Sequence, residues 1–179
     1  MSTTVPSAST VPGSAAPHSR SLRIHSDRTY HLPGSAEDVW TGLARVEDYR
    51  SWWPWLRRFE ARALVPGDVW RCTLRPSLPY AIRCDIALEV VAAPCRVTAV
   101  LSGDLTGDAR VELWEAAGGT DVRLVSDLAA TGPSLRIMAR LAPPMARWGH
   151  DRLLDVAARQ FAAAASAARM RACRPAAPS

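Results

Sequence analysis

The sequence predicts an α+β domain: one long antiparallel sheet with a single apolar face, a short helical pair after the first strand, and a long helix at the C-terminal end. Three observations carry that prediction. Between Val69 and Leu128 the chain passes through repeated runs of alternating apolar and polar residues, the period of strands that bury one face. From Met145 to Arg171 the period becomes that of a helix. The stretch Ser35–Trp55, SAEDVWTGLARVEDYRSWWPW, combines helical spacing with Trp52, Trp53 and Trp55 around a single Pro54. Such an aromatic-rich segment is too short to bury itself and needs a sheet to lie against.

Residues 1–21 are dominated by Ser, Thr, Ala and Pro, and 173–179 are similar in character. Neither repays the entropy of ordering, so both are expected to be disordered tails around one domain spanning 22–172. Leu22–Leu32 reads as the first strand, with Ile24, Tyr30 and Leu32 on one parity. Ser35 followed by Asp38 resembles a capping box, and Val39, Trp40, Leu43 and Val46 continue an apolar helical face. Pro54 stops any helix there. Arg57–Leu64 is a short strand leading into the turn Val65-Pro66-Gly67-Asp68.

The alternating runs then assign an inward face. Trp70, Cys72 and Leu74 share it in one strand, and Tyr80, Ile82, Cys84, Ile86, Leu88 and Val90 in the next. Cys95, Val97, Ala99 and Leu101 follow in a third. Ala109–Glu115 and Asp121–Leu128 are joined across Gly118-Gly119, a hairpin signal. Even-sum pairing puts Cys72 opposite Cys84 or Ile82, which allows a disulfide, although two reduced core thiols are the simpler reading. Pro133–Ala142 is a short helix broken by Pro143-Pro144. On the long helix His150, Leu153, Leu154, Ala157, Phe161, Ala164 and Ala168 form one stripe, with Arg152, Asp155, Arg159 and Ser166 opposite. Asp155 and Arg159 are expected to pair on its outer side, where Trp148 also falls.

Composition narrows the function classes. The apolar fraction of 48% and charged fraction of 22% are those of an ordinary globular protein. The 22 basic residues are all arginine, scattered and often near an acid, so the net charge of +5 does not amount to a nucleic-acid-binding face. The four cysteines show no zinc-type spacing, and no metal or cofactor is expected. No run of about 18 apolar residues offers a membrane span. With no signal-like N-terminus, a cytoplasmic location is the expectation.

The element order, together with AEDVWTGLARVEDYRSWWPWL, resembles the START-like (SRPBCC) superfamily, in particular its polyketide cyclase/dehydrase and lipid-transport branch. The residues that carry the resemblance are Val39, Trp40, Leu43, Asp48, Tyr49, Trp52, Trp53 and Pro54, then Pro66-Gly67, then Gly103-Asp104-Leu105 and Gly107. It implies the helix-grip (START/Bet v-like) fold, in which a curved sheet wraps the last helix around an elongated apolar cavity. It also implies a small apolar ligand such as a polyketide, lipid or isoprenoid, and supplies no universal catalytic motif.

Candidate cavity residues follow from the inward faces. His150 lies on the apolar stripe near the start of the long helix, where it either meets a ligand or is a core-edge histidine satisfied by backbone or water. Arg28 falls on the inward parity of the first strand; it either holds an acidic ligand group or, the favoured reading, is turned outward by a different register or a bulge. Trp70, Tyr80, Ile82, Cys84, Ser126 and Leu154 complete the set, each equally explicable as core. Three function classes stand open: a carrier of a small apolar molecule, a cyclase/dehydratase in which His150 with Tyr80 or Arg28 moves protons, and a partner protein. The outer faces, expected to be charged and free of apolar patches, argue against the last.

Overall fold

The computed structural model describes residues 23–75 and 81–172; the tails and Tyr80 lie outside them. The order is β1 (Arg23–Leu32), α1 (Ala36–Ala44), a 3-10 turn (Val46–Asp48), α2 (Tyr49–Trp52), β2 (Leu56–Glu60), β3 (Val69–Leu74), β4 (Ile82–Ala92), β5 (Arg96–Gly103), β6 (Leu105–Ala116), β7 (Gly119–Ala130), α3 (Pro133–Leu141) and α4 (Pro143–Ala172). The strands form one antiparallel sheet in the order β1-β7-β6-β5-β4-β3-β2. The first strand therefore closes against the last, and every other neighbour is consecutive in sequence. With short helices after β1 and the long α4, this is a helix-grip fold. No described helix is long and apolar enough to cross a membrane.

Local chemistry explains most boundaries. Ser35 caps α1: its Oγ accepts from Asp38 N at 3.1 Å while Ser35 N donates to Asp38 Oδ2 at 3.2 Å. The two prolines after α3 do not delay α4, as expected from the sequence, but occupy its first turn, where a missing N–H costs nothing. Two strand assignments need correction. Leu88 pairs Ala99 but Val90 pairs Thr98, so a bulge at Glu89 reverses the parity; Val90 stays 40% exposed and Val91 packs on the core instead. Cys95 is an exposed turn residue before β5 rather than an inward one. Cys72 and Cys84 stand directly opposite each other as free thiols.

The aromatic segment closes the grip. Tyr49 is buried among Trp52, Trp53, Phe59 and Trp70, with ring centroids 4.7–5.7 Å away. Its hydroxyl donates to Leu43 O at 2.6 Å, and burial pushes its pKa well above the usual tyrosine range. Trp52 meets Phe161 of α4 edge to face at 5.3 Å. Trp53 Nε1 donates to Ala157 O and Trp55 Nε1 to Gln160 Oε1, both at 3.1 Å. A Cβ on Gly42 of α1 would lie 2.9 Å from Phe161 Cζ, so the ring fits only because that side chain is missing.

Phe161→Ala is therefore expected to cost about 3–5 kcal/mol through the cavity it leaves. Gly42→Val is expected to cost about 1–3 kcal/mol through overpacking against the same ring. Urea denaturation of each variant against the wild type checks both.

Candidate ligand-binding cleft

Directly paired residues of an antiparallel sheet share a face, so the register lays out rows across its inner side. One row is Ser26–Ser126–Ala109–Ala99–Leu88, and beside it runs Ile24–Leu128–Gly107–Leu101–Ile86–Trp70. On the other side lies Arg28–Leu124–Val111–Val97–Val91. The middle of this floor is built from small residues: Gly107, Ala109, Ala99 and Ser126. Opposite it, α4 makes its close contacts with β1, α2 and α3. Leu101 and Leu124 on the sheet and Leu153 and Leu154 on α4 are only half-buried and join neither of the two core clusters. Short side chains on the sheet and half-buried leucines on both surfaces mark this face as the candidate ligand cleft.

One wall of the cleft is polar. The paired inward serines of β1 and β7 meet consecutive residues of α4: Ser126 Oγ and His150 Nε2 share a hydrogen bond at 3.1 Å, and Ser26 Oγ donates to Asp151 Oδ1 at 2.8 Å. Arg28 Nη2 lies 2.8 Å from Asp151 Oδ2. One turn further along, Tyr30 Oη donates to Asp155 Oδ1 at 2.9 Å. Ser26, Arg28 and Tyr30 are alternate residues of a strand, and Asp151 and Asp155 are four apart on a helix. The two periods thus bring the groups together along a single seam.

The seam explains three departures from the sequence reading. Arg28 is not turned outward, because β1 pairs with β7 without a bulge and an acid on α4 receives it. Asp155 faces β1 and Tyr30 rather than Arg159. The Nε2 of His150 meets a side-chain hydroxyl, that of Ser126, rather than a backbone carbonyl. The electrostatics follow from these contacts. Burial favours the neutral form of Asp151, but hydrogen bonds from Ser26 and Arg28 and the arginine charge outweigh it and hold its pKa below the usual carboxylate range. Burial lowers the His150 pKa, opposed in part by Asp151, so the imidazole is neutral near pH 7. Burial first, then Asp155, raises the Tyr30 hydroxyl well above its usual range.

The predicted site residues divide between cleft and core. Ser126, His150 and Arg28 come together in the polar wall, and half-buried Leu154 lies one turn from His150 on the same helix face. Trp70, Ile82 and Cys84 are buried, Trp70 with its indole donating to Ala63 O at 3.1 Å. Tyr80 is outside the described residues. Asp151 and Ser26 were missed, although the spacing of Asp151 and Asp155 against three alternate polar inward positions on β1 was a usable signal. A separate pocket of about 290 Å³ opens among Arg58, Glu60, Arg71, Arg83 and Asp85 on the outward side of β2–β4. Glu60, Arg71 and Asp85 lie in one row of alternating sign across those strands, and Arg58 and Arg83 flank Thr73 in another. Among the described residues no group of His, Cys, Asp or Glu is placed to hold a metal ion.

Solved structures share this architecture. The chain is similar to a START superfamily protein from Mycobacterium smegmatis, at 15% identity over 79% of this chain and 97% of that one, with a TM-score of 0.63. It is also similar to the Zhui aromatase/cyclase from Streptomyces sp. R1128, at 16% identity over 81% and 94%, with a TM-score of 0.61. A conserved protein from Geobacillus kaustophilus matches at 13% identity over 81% and 95%, with a TM-score of 0.67. No family profile matches the chain, and no curated protein matches it in sequence. The likeness is one of fold: the chain shares the helix-grip, START-like architecture of these structures.

A histidine whose pKa is lowered by folding takes up its proton more readily in the unfolded chain. Stability is therefore complete above the ordinary value of 6.5 and declines as pH falls from there through the folded-state pKa. His150→Gln is expected to flatten that decline below pH 6.5 in melting curves. Superimposable wild-type and variant profiles would contradict a buried, neutral His150.

Proposed function

We propose that this chain binds a small, largely apolar molecule, of polyketide, lipid or isoprenoid character, in the cleft between the inner sheet face and α4. The observation that carries this reading is the set of half-buried leucines, Leu101 and Leu124 on the sheet and Leu153 and Leu154 on α4, near inner-face Gly and Ala residues and outside both core clusters. Apolar surface left unfilled in a fold of this size is a place for a ligand. Covering about 300 Å² of ligand area yields on the order of 7 kcal/mol before ordering costs, enough for micromolar binding without a polar network. The polar groups of the wall are already paired with one another, which favours ligands that ask little hydrogen bonding of them.

A second reading, a cyclase or dehydratase acting on a poly-β-keto substrate, is favoured by one observation. The Ser126 hydroxyl and a neutral His150 are within hydrogen-bonding distance at the cleft. Such an imidazole accepts and returns a proton near neutral pH while the walls orient a flexible chain. The aromatase/cyclase of the same fold supports this reading by analogy only.

Native mass spectrometry of gently purified protein, followed by organic extraction, identifies any bound molecule. In parallel, Leu124→Trp is expected to fill the cleft and weaken binding of a fluorescent fatty-acid probe at least about tenfold, or ~1.4 kcal/mol, with little change in melting temperature. An empty wild-type protein that takes up neither fatty-acid nor aromatic probes would refute the carrier reading. His150→Gln separates the two readings: a carrier keeps its probe affinity, whereas an enzyme keeps affinity and loses turnover of a poly-β-keto surrogate.

A further inference from the structure

The outer surface is not uniformly charged, as the sequence suggested. Ile137 and Leu141 of α3 and Met145 and Trp148 of α4 are 58%, 79%, 60% and 67% exposed. Ile137 and Leu141 are four apart in α3, and Met145 and Trp148 three apart in α4, so each pair shares a helix face on either side of the non-helical Ala142. Nothing in the folded domain needs four large apolar side chains there. Three are immediately preceded by an arginine: Arg136 before Ile137, Arg140 before Leu141 and Arg147 before Trp148. Consecutive helical residues point about 100° apart, so a basic stripe runs alongside the apolar one.

The charge balance of this region is one-sided. Between Asp127 and Asp151 the sequence contains no Asp or Glu at all. Asp127 bridges to Arg23 and Asp151 to Arg28, so neither flanking acid answers the stripe. Arg136 and Arg140 are exposed and form no ion pair with a described residue. Among the described residues Arg147 reaches only the backbone oxygen of His25, at 3.5 Å.

We propose that this face, α3 with the first turns of α4, docks on the surface of an anionic lipid bilayer. Apolar side chains at the depth of the headgroups, an indole among them, and arginines whose long stems let the charged ends reach phosphates match that interface at each position. A protein partner would require a complementary acidic and apolar surface, whereas a bilayer offers both features along a continuous plane. The row ends two residues before His150, so docking holds the polar wall of the cleft next to the membrane. The proposal stands on the surface alone and does not require the cleft to be a ligand site.

The test is co-sedimentation of the full chain with vesicles of phosphatidylcholine alone or with phosphatidylglycerol at about one-third of the lipid. The expected result is binding to the anionic vesicles that falls steeply between about 0.05 and 0.5 M salt. Ile137→Asp with Trp148→Asp, and separately Arg136→Gln with Arg140→Gln, are expected to reduce it at least tenfold while melting temperatures hold, since these side chains are exposed. Equal or no binding to the two vesicle types overturns the proposal. So does binding that survives the Ile137 and Trp148 changes, or a chain that ignores vesicles yet captures an acidic protein through this row. Leu124→Trp, which fills the cleft, is expected to bind vesicles as the wild type does; its failure would mean that lipid uptake, not docking, was measured.

Discussion

The contact between the tryptophan segment and Phe161 is the constraint on which the rest of the molecule depends. A sheet with one apolar face and a helix with one apolar stripe have many ways to lie together, and small residues such as the alanines of α4 discriminate poorly among them. Trp52 and Phe161, with Gly42 cleared of a side chain, define one seat. The indole hydrogen bonds from Trp53 and Trp55 fix the helix in rotation and translation at that end. Large rings supply the buried area and their N–H groups supply the direction.

At the other end of α4 the register is held by polar contacts. Ser26, Arg28 and Tyr30 present three groups to Asp151 and Asp155 along the edge strand β1, and Ser126 takes His150 from the next strand. Charges at a sheet–helix seam are costly unless each finds a partner, and here they do. The polar seam, from His150 to Asp155, and the aromatic contacts, from Ala157 to Phe161, follow one another directly along α4.

The first turns of α4 serve inside and outside at once. His150 and Asp151 face the seam, while Met145 and Trp148 face away with the apolar row of α3. The same short stretch therefore links the polar seam to exposed apolar residues of the outer surface.

Much of this was legible in the residues because it depends on period. Alternation put Cys72 opposite Cys84 or Ile82, of which the register takes Cys84, and turned Val97, Ala99 and Ser126 inward; the cap at Ser35 started α1, and the helical stripe brought His150, Leu154 and Phe161 to one face. Period fails where an inserted residue resets it, as at Glu89, after which Val91 and not Val90 turns to the core. It also cannot say which flank of a helix meets a charged strand. Asp155 reads as an outer residue on the helix alone, and becomes Tyr30's partner only because α4 lies along the edge strand β1. Arg28 reads as a misfit for the same reason, until Asp151, more than a hundred residues away, receives it. Local spacing determined the elements and their faces by itself. Which groups share a hydrogen bond, and what is left unfilled between sheet and helix, was decided by tertiary packing, because those facts belong to distances between segments that the chain order does not encode.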